Sequence, residues 1–295
     1  MEIMSISLLR KATKQGNLTC VQELLNNDPA LVNDQDWEEK TPLHVAAENG
    51  HLAVTQLLLH HVLLHRDADI DAEDWNQETP LHLAALNGHA DVTRLLLNSD
   101  ALVDAHNKQK RTPLHYAASN GHLNVAAILL DHKATVDARD KYNQTPLHWT
   151  AIKGHAAVAI VLLYHNAAVD AQNNDNATPL HLASINGHAN VEQLLKDWPD
   201  YQNAMIRMLR EQQERVDILL LAQDSRSVDI SPHFPQLCIV NIAKFACPEL
   251  MKTKYSKLFS DDDLNQLGKL SDKNNPQEIH EIAEQERKQE KLGNK

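Results

Sequence analysis

One tetrapeptide, Thr-Pro-Leu-His, occurs five times in this chain of 295 residues and constrains its fold more than any other feature. The copies begin at Thr41, Thr79, Thr112, Thr145 and Thr178, so that they lie 38, 33, 33 and 33 residues apart. Each copy is followed by a Gly-His pair at the same offset and then by a leucine-rich run. A period of this length indicates a stack of similar units, because one such unit cannot bury its own apolar face.

The third copy, which extends from Thr112 to Leu130, predicts two short helices. Thr112 can cap the first helix, because its hydroxyl can accept a hydrogen bond from a free N–H of the first turn. Pro113 then occupies the first helical position, where a missing N–H costs nothing. Gly121 ends this helix, since glycine adopts the left-handed conformation without strain. Two apolar faces follow from helical spacing: Leu114, Ala117 and Ala118 in the first helix, and Val125, Leu129 and Leu130 in the second.

This pattern resembles the ankyrin repeat, which has the same period and a T-P-L-H-x-A signature. The resemblance covers about two-thirds of the chain and implies an all-α solenoid of helix-turn-helix units with hairpin fingers between them. It also implies that the ten histidines of the Thr-Pro-Leu-His and Gly-His motifs form structural hydrogen bonds between loops. We predict an ankyrin repeat domain of six units over residues 5–198.

Two of the six units depart from the regular pattern. Residues 5–33 form a degenerate first unit, in which Leu9, Ala12 and Gly16 stand at the expected positions. The second unit is five residues longer than the regular period, and its extra residues are largely apolar. We therefore expect its second helix to be extended by more than one turn.

Composition excludes several classes of function. The formal net charge of −12 disfavours nucleic acid and anionic membrane surfaces as partners. The three cysteines show no metal-binding or disulfide spacing, which fits a reducing compartment. Neither a secretory signal nor an apolar run long enough to span a bilayer is visible. We expect a cytoplasmic protein without membrane insertion.

The sequence contains no recognisable catalytic motif. Phosphate-binding glycine loops and the GxSxG, HExxH and CxxC patterns do not occur, so we predict no enzyme, no cofactor and no metal. His60, His61 and His65 could be imagined as a zinc site, but no carboxylate or cysteine pair completes the ligand set nearby, which favours a solvated helix end. Cys238 and His233 could form a reactive thiol pair, although Cys238 also fits a small buried apolar residue. An enzyme with an unrecognised C-terminal active site remains an alternative.

The loops between the units are the candidate binding surface. We call them fingers 1 to 5: residues 34–40, 72–78, 105–111, 138–144 and 171–177. Exposed tryptophan and isoleucine on a concave face are typical anchors for a protein partner. The predicted partner-binding residues in the fingers are Trp37, Glu38, Lys40, Trp75, Asn76, Glu78, Lys108, Gln109, Arg111, Lys141, Tyr142 and Gln144, and those on the first helices are Leu86, Ile152 and Lys153.

Two features of the fingers leave alternatives open. Trp37 and Trp75 could instead pack on each other and stiffen adjacent fingers. Ankyrin proteins with a glycine two residues before the threonine make a tight turn there, and this chain has Glu39, Gln77, Lys110, Asn143 and Asn176 at that position. The shape of the fingers is therefore not determined by the sequence pattern.

The repeat pattern stops near Pro199, and we predict a helical cap or extension over residues 199–260. Within it, four residues have a spacing similar to the F-box, a short helical hook onto a ubiquitin ligase adaptor: Pro235, Ile242, Phe245 and Leu250. Leu237 departs from that motif, because the family prefers glutamate there. An apolar helical pair that extends the cap explains the same residues.

Residues 261–295 predict a charged, partly disordered tail. Its glutamate-rich composition is similar to the export signals of bacterial type IV effectors. The sequence as a whole favours a non-enzymatic protein–protein interaction module that binds a partner through the concave groove. The alternative is an adaptor that recruits ubiquitin ligase machinery, as a secreted effector in a host cytoplasm.

Overall fold

The computed structural model describes residues 2–64, 69–200 and 202, with the side chains of residues 2–5, 63 and 64 left out. Over these residues the backbone forms helices, turns and loops and no β-strand. The first compact unit extends from Met1 to Leu195 and contains the repeats. The predicted boundaries at residues 198 and 260 stay predictions.

Six successive helix pairs make up the described chain. The first helices of the pairs are α1 (Glu2–Lys14), α3 (Pro42–Glu48), α5 (Pro80–Leu86), α7 (Pro113–Asn120), α9 (Pro146–Lys153) and α11 (Pro179–Ile185). The second helices are α2 (Leu18–Asn27), α4 (Leu52–Leu64), α6 (Ala90–Asn98), α8 (Leu123–Asp131), α10 (Ala156–Tyr164) and α12 over residues 189–200. A short 3-10 helix, Pro29–Asn33, follows α2.

The helices form two layers. Each first helix contacts the first helix of the next pair, and the second helices from α2 to α10 contact one another in the same order. Alanines permit the close approach of the first helices, since Ala46, Ala84 and Ala117 are completely buried. The leucines of the first four copies of the tetrapeptide, such as Leu81 and Leu114, are at most 1% exposed. The predicted helical solenoid is confirmed.

The Gly-His pairs join neighbouring repeats through the expected histidine hydrogen bond and through a ring contact on glycine that was not predicted from the sequence. Gly88 has a φ of +76°, as expected of a residue that ends a helix. In addition, the His122 ring covers Gly88, and a Cβ there would lie 2.6 Å from His122 Nδ1. His122 Nε2 donates a hydrogen bond to the Leu86 carbonyl of the preceding repeat at 2.9 Å. Glycine is therefore needed for backbone conformation and for space.

The described residues include both units that depart from the regular sequence pattern. In the degenerate first unit, Leu9 and Ala12 are buried, and His51 donates to the Lys14 carbonyl while its ring covers Gly16. The first unit is therefore joined to the second as the regular units are joined to each other. In the second unit, α4 has 13 residues against nine in α6, which is an extension of about one turn.

A pair of glycine substitutions separates the two roles of this residue. Gly88→Ala and Gly187→Ala both place a Cβ on a left-handed residue, but among the described residues a Cβ at Gly187 would meet no atom within 4 Å apart from those of its chain neighbours. We expect Gly88→Ala to lower the free energy of unfolding by about 1–3 kcal/mol more than Gly187→Ala, because it displaces the His122 ring and its hydrogen bond. Urea unfolding of the full chain measures this difference.

The double variant Gly88→Ala with His122→Ala serves as the control. If a glycine at position 88 is required for the position of the His122 ring, the losses in the free energy of unfolding caused by the two substitutions are less than additive. Additive effects, or equal losses at Gly88 and Gly187, would contradict the assigned role of the ring.

Candidate protein-binding surface

An acidic or amide side chain at the third position of each finger organises that finger. In finger 2, Asp74 Oδ1 accepts hydrogen bonds from the backbone N–H groups of Asn76 and Glu78 at 2.8 and 2.9 Å. The same pair of bonds occurs in the other fingers at Asp36, Asn107, Asp140 and Asn173. These bonds satisfy the backbone of a short loop that has no strand partner and hold it in one conformation.

The turn of each finger forms without glycine. The residue two before each threonine has a φ between +57° and +61°: Glu39, Gln77, Lys110, Asn143 and Asn176. For side chains other than Asn, Asp and Gly, this left-handed conformation costs roughly 1–2 kcal/mol. The finger shape that the sequence left open is therefore the tight turn. Its left-handed position is occupied by non-glycine residues, which adopt this conformation at a cost in conformational free energy.

Neighbouring fingers are joined to each other along the stack. A backbone N–H of one finger donates to a carbonyl of the preceding finger, in a series that includes all five. The four bonds run from Trp75 to Glu38, Lys108 to Asn76, Lys141 to Gln109 and Asn174 to Tyr142, at N···O distances of 2.9, 2.9, 2.9 and 3.1 Å. The predicted binding positions of successive fingers consequently lie side by side.

The histidine of the repeated tetrapeptide attaches fingers 2 to 5 to the preceding helix pair. Thr79 N–H donates to His82 Nδ1 at 3.1 Å, and His82 Nε2 donates to the carbonyl of Arg111, the last residue of finger 3, at 3.0 Å. A backbone N–H can only donate, so these bonds require the neutral imidazole with its proton on Nε2. The same bonds recur at His44, His115 and His148.

Burial lowers the pKa values of these histidines. The pKa of His82 and that of His115 fall to about 4, because desolvation disfavours the imidazolium. Burial also lowers the pKa of His44 and that of His148. At neutral pH these positions in the stack are therefore uncharged.

Large aromatic groups project from the fingers. Trp37 is 83% exposed, Trp75 is 51% exposed and Tyr142 is 47% exposed. At these exposures the two indole rings are not buried under neighbouring helices. On the first helices, Leu86 and Ile152 are half-buried, whereas Ile185 is 78% exposed. Apolar groups that are exposed on a hydrogen-bonded scaffold are available to a partner.

Some predicted binding residues are engaged inside the molecule. Lys40 Nζ lies 3.2 Å from a Glu38 carboxylate oxygen and 3.4 Å from one of Glu48. Glu78 Oε1 accepts hydrogen bonds from the Tyr116 hydroxyl and from Asn107 Nδ2. Burial, followed by the Glu78 carboxylate, raises the pKa of Tyr116. These side chains stabilise the bases of fingers 1 to 3 in the unbound protein.

Arg111 takes part in a similar cluster at the base of finger 4. Its guanidinium carbon lies 4.2 Å from the centre of the Trp149 ring, and its Nε lies 3.7 Å from the buried Asp140 carboxylate. Trp149 Nε1 donates to the same carboxylate at 3.2 Å. Trp149 and Tyr116 are not among the binding residues predicted from the sequence. Both directly follow the repeated tetrapeptide, where the other copies have valine or leucine, and this difference was the available signal.

The other predicted residues lie on the surface of the same row. Lys108, Lys141, Asn76 and Lys153 are exposed, and Gln109 and Gln144 are half-buried.

The F-box-like residues Pro235, Ile242, Phe245 and Leu250 lie outside the described residues, as do His65, His233 and Cys238. Within the described ranges no group of three or more His, Cys, Asp or Glu side chains is placed to hold a metal ion. No helix in that same part of the chain is long and apolar enough to cross a membrane.

Comparison with known proteins identifies the architecture. A family model described as "Ankyrin repeats (3 copies)" matches residues 5–74, 61–140 and 134–206. Together these matches include well over half of the chain. A stack of helix pairs with projecting fingers is a repeat solenoid, and this chain belongs to the ankyrin repeat family.

Individual relatives share short stretches with the chain. "Ankyrin repeat domain-containing protein 49" from Bos taurus is 46% identical over 54 residues, which is 18% of this chain and 23% of that protein. "Serine/threonine-protein kinase VIK" from Arabidopsis thaliana is 40% identical over 53 residues, which is 18% of this chain and 12% of the kinase. The chain spans less than a quarter of the length of either relative.

The histidine bonds make stability depend on pH. An unfolded histidine has a pKa of about 6.5, and folding lowers that of His82 and that of His115 to about 4. Between these pH values the unfolded state binds more protons than the folded state. The contribution of each histidine to the free energy of unfolding is therefore complete above pH 6.5 and is lost as the pH falls towards 4. We expect the free energy of unfolding to fall by about 1.4 kcal/mol per pH unit for each histidine in this window.

Denaturant unfolding of the full chain at a series of pH values from 7 to 4.5 measures the slope. The variant His82→Gln with His115→Gln lacks the titrating groups and keeps a side-chain donor, so its slope should be smaller. An unchanged slope in this variant would show that other groups cause the pH dependence.

The left-handed finger turn gives a second stability prediction. Lys110→Asn should raise the free energy of unfolding by about 0.5–1 kcal/mol, because asparagine adopts this conformation at lower cost. Lys108→Asn removes the same charge from an exposed position of the same finger that is not left-handed, and it should not stabilise. Thermal unfolding compares the variants, and equal effects would contradict the assigned strain.

Proposed function

We propose that this protein binds a partner polypeptide through the row of fingers and the adjoining first helices. Ankyrin repeats are in general protein–protein interaction modules. The observation that carries the proposal is the exposure of Trp37, 83% of whose surface faces solvent on a finger held by hydrogen bonds. An aromatic group of this size is a typical binding anchor.

The bonds between fingers support this function. Binding costs less when the contact groups are already ordered, since side chains and loops need not lose freedom on association. Here the backbone of every finger is bonded internally and to a neighbouring finger, and fingers 2 to 5 are also bonded to a buried histidine of the preceding repeat. Trp37 and Trp75 are thus presented by a scaffold whose conformation is established before the partner arrives.

No catalytic role is part of the proposal. The histidines of the repeated tetrapeptide bind backbone groups, and the partly exposed histidines of the Gly-His pairs bind carbonyls of the preceding repeat. A cytoplasmic location belongs to the proposal and rests on the cysteine pattern and composition. The adaptor role in ubiquitin ligation and the effector role stay predictions, because the residues that suggested them lie outside the described chain.

Replacing the two exposed tryptophans tests the proposal. In Trp37→Ala with Trp75→Ala, we expect proteins captured from a lysate by the full chain to fall at least roughly thirtyfold, since an anchor residue contributes about 2 kcal/mol or more. Quantitative mass spectrometry of the captured proteins provides the measurement. Circular dichroism should be unchanged, because both side chains project from fingers.

Leu102→Ala is the matched control. Leu102 is 60% exposed, but it lies between α6 and finger 3 and is not a finger residue. The control should capture the same proteins as the unmodified chain. Equal capture by the tryptophan variant and the unmodified chain would eliminate the fingers as the binding surface.

A further inference from the structure

The charges of the fingers are separated along the row. Fingers 1 and 2 carry seven acidic side chains and one lysine, whereas fingers 3 and 4 carry five basic side chains and one aspartate. Because neighbouring fingers are joined by backbone hydrogen bonds, these groups form two adjoining surfaces of opposite sign. The two exposed tryptophans lie on the negative surface.

Contacts inside the protein do not cancel this separation. On the negative surface Lys40 is paired with Glu38 and Glu48, while Glu39 and Glu73 are exposed. The basic surface also keeps exposed charged groups. It consists of the exposed residues Lys108, Lys110 and Lys141, next to Arg139, which donates to the Gln172 carbonyl.

A buried carboxylate strengthens the negative surface. Asp74, at the third position of finger 2, is 3% exposed, and its Oδ2 has no hydrogen-bond partner in the part of the chain that the structure describes. The equivalent oxygen of Asp140 in finger 4 accepts from Trp149 and faces the Arg111 guanidinium. The carboxylate of Asp140 in finger 4 is therefore compensated by its neighbours, whereas that of Asp74 in finger 2 is not. A low-dielectric environment extends the reach of an uncompensated charge.

Resting on the proposed function, we infer that the partner segment is itself bipolar. It carries lysine or arginine next to the apolar side chains that contact Trp37 and Trp75, and aspartate or glutamate where it crosses fingers 3 and 4. Opposite surfaces of this kind set the direction and register of a bound chain, because the reversed orientation brings like charges together. A segment of a single charge sign meets repulsion at one end of the row.

Selection from a random library of displayed peptides tests this inference on the full chain. We expect enriched sequences in which a basic block is separated from an acidic block by apolar residues. Enrichment of peptides that need Trp37 and Trp75 but carry one charge sign or mixed charges would overturn the inference and leave the proposed function standing. Failure of tryptophan-dependent enrichment would count against both.

A charge-reversal variant tests the assignment of the basic surface. Lys108→Glu with Lys141→Glu should weaken binding of a selected bipolar peptide by roughly tenfold or more at low salt, with a smaller loss at high salt where charges are screened. Replacing the acidic block of the peptide with lysine should restore binding to this variant. Fluorescence anisotropy with the labelled peptides measures both effects.

Lys11→Glu with Lys133→Glu is the control, because it makes the same change in net charge at exposed positions outside the fingers. This variant should bind like the unmodified chain. Equal weakening in both variants would show that net charge alone acts, and no weakening in either would remove the basic surface from the binding site.

Discussion

The hydrogen bond from a histidine Nε2 to a backbone carbonyl of a neighbouring repeat is the interaction on which the stack depends. Most repeats use it in both directions. The tetrapeptide histidine, as at His82, reaches forward to the base of the next finger, and the histidine of the Gly-His pair, as at His122, reaches back to the end of the preceding first helix. Both bonds join units that are about 30 residues apart in sequence, so they order loops that local propensity alone would leave mobile.

The fold could be predicted from the sequence because its determinants are local and repeated. Proline at the helix start and glycine at the helix end act within one unit, and the period repeats the small alanines that pack the first helices of successive units together. The second role of Gly88 could not be read in this way, since the ring that covers it belongs to the next repeat. The finger turns were uncertain for a different reason: hydrogen bonds within finger 3, from the backbone N–H groups of Lys110 and Arg111 to Asn107, hold Lys110 in a conformation that its own preference opposes.

The candidate site was predicted less completely than the fold. The sequence selected Trp37 and Trp75, and the structure places both on exposed finger positions. It also grouped Glu78 and Arg111 with them, although their side chains contact Tyr116 and Trp149 of the following helices. Sequence position gives the finger to which a residue belongs, but whether its side chain faces a partner or the next helix depends on which neighbour supplies a complementary group.

The side chain at the left-handed position of each finger has a consequence for the evolution of the surface. Glycine would make the turn at lower conformational cost but would contribute nothing to a contact. In this chain the same position presents an exposed carboxylate at Glu39, an ammonium group at Lys110 and amides at Gln77, Asn143 and Asn176. Each repeat thereby gains one more variable contact position without any insertion into its loop. Its specificity can diversify while the architecture stays constant, at the expense of some folding stability.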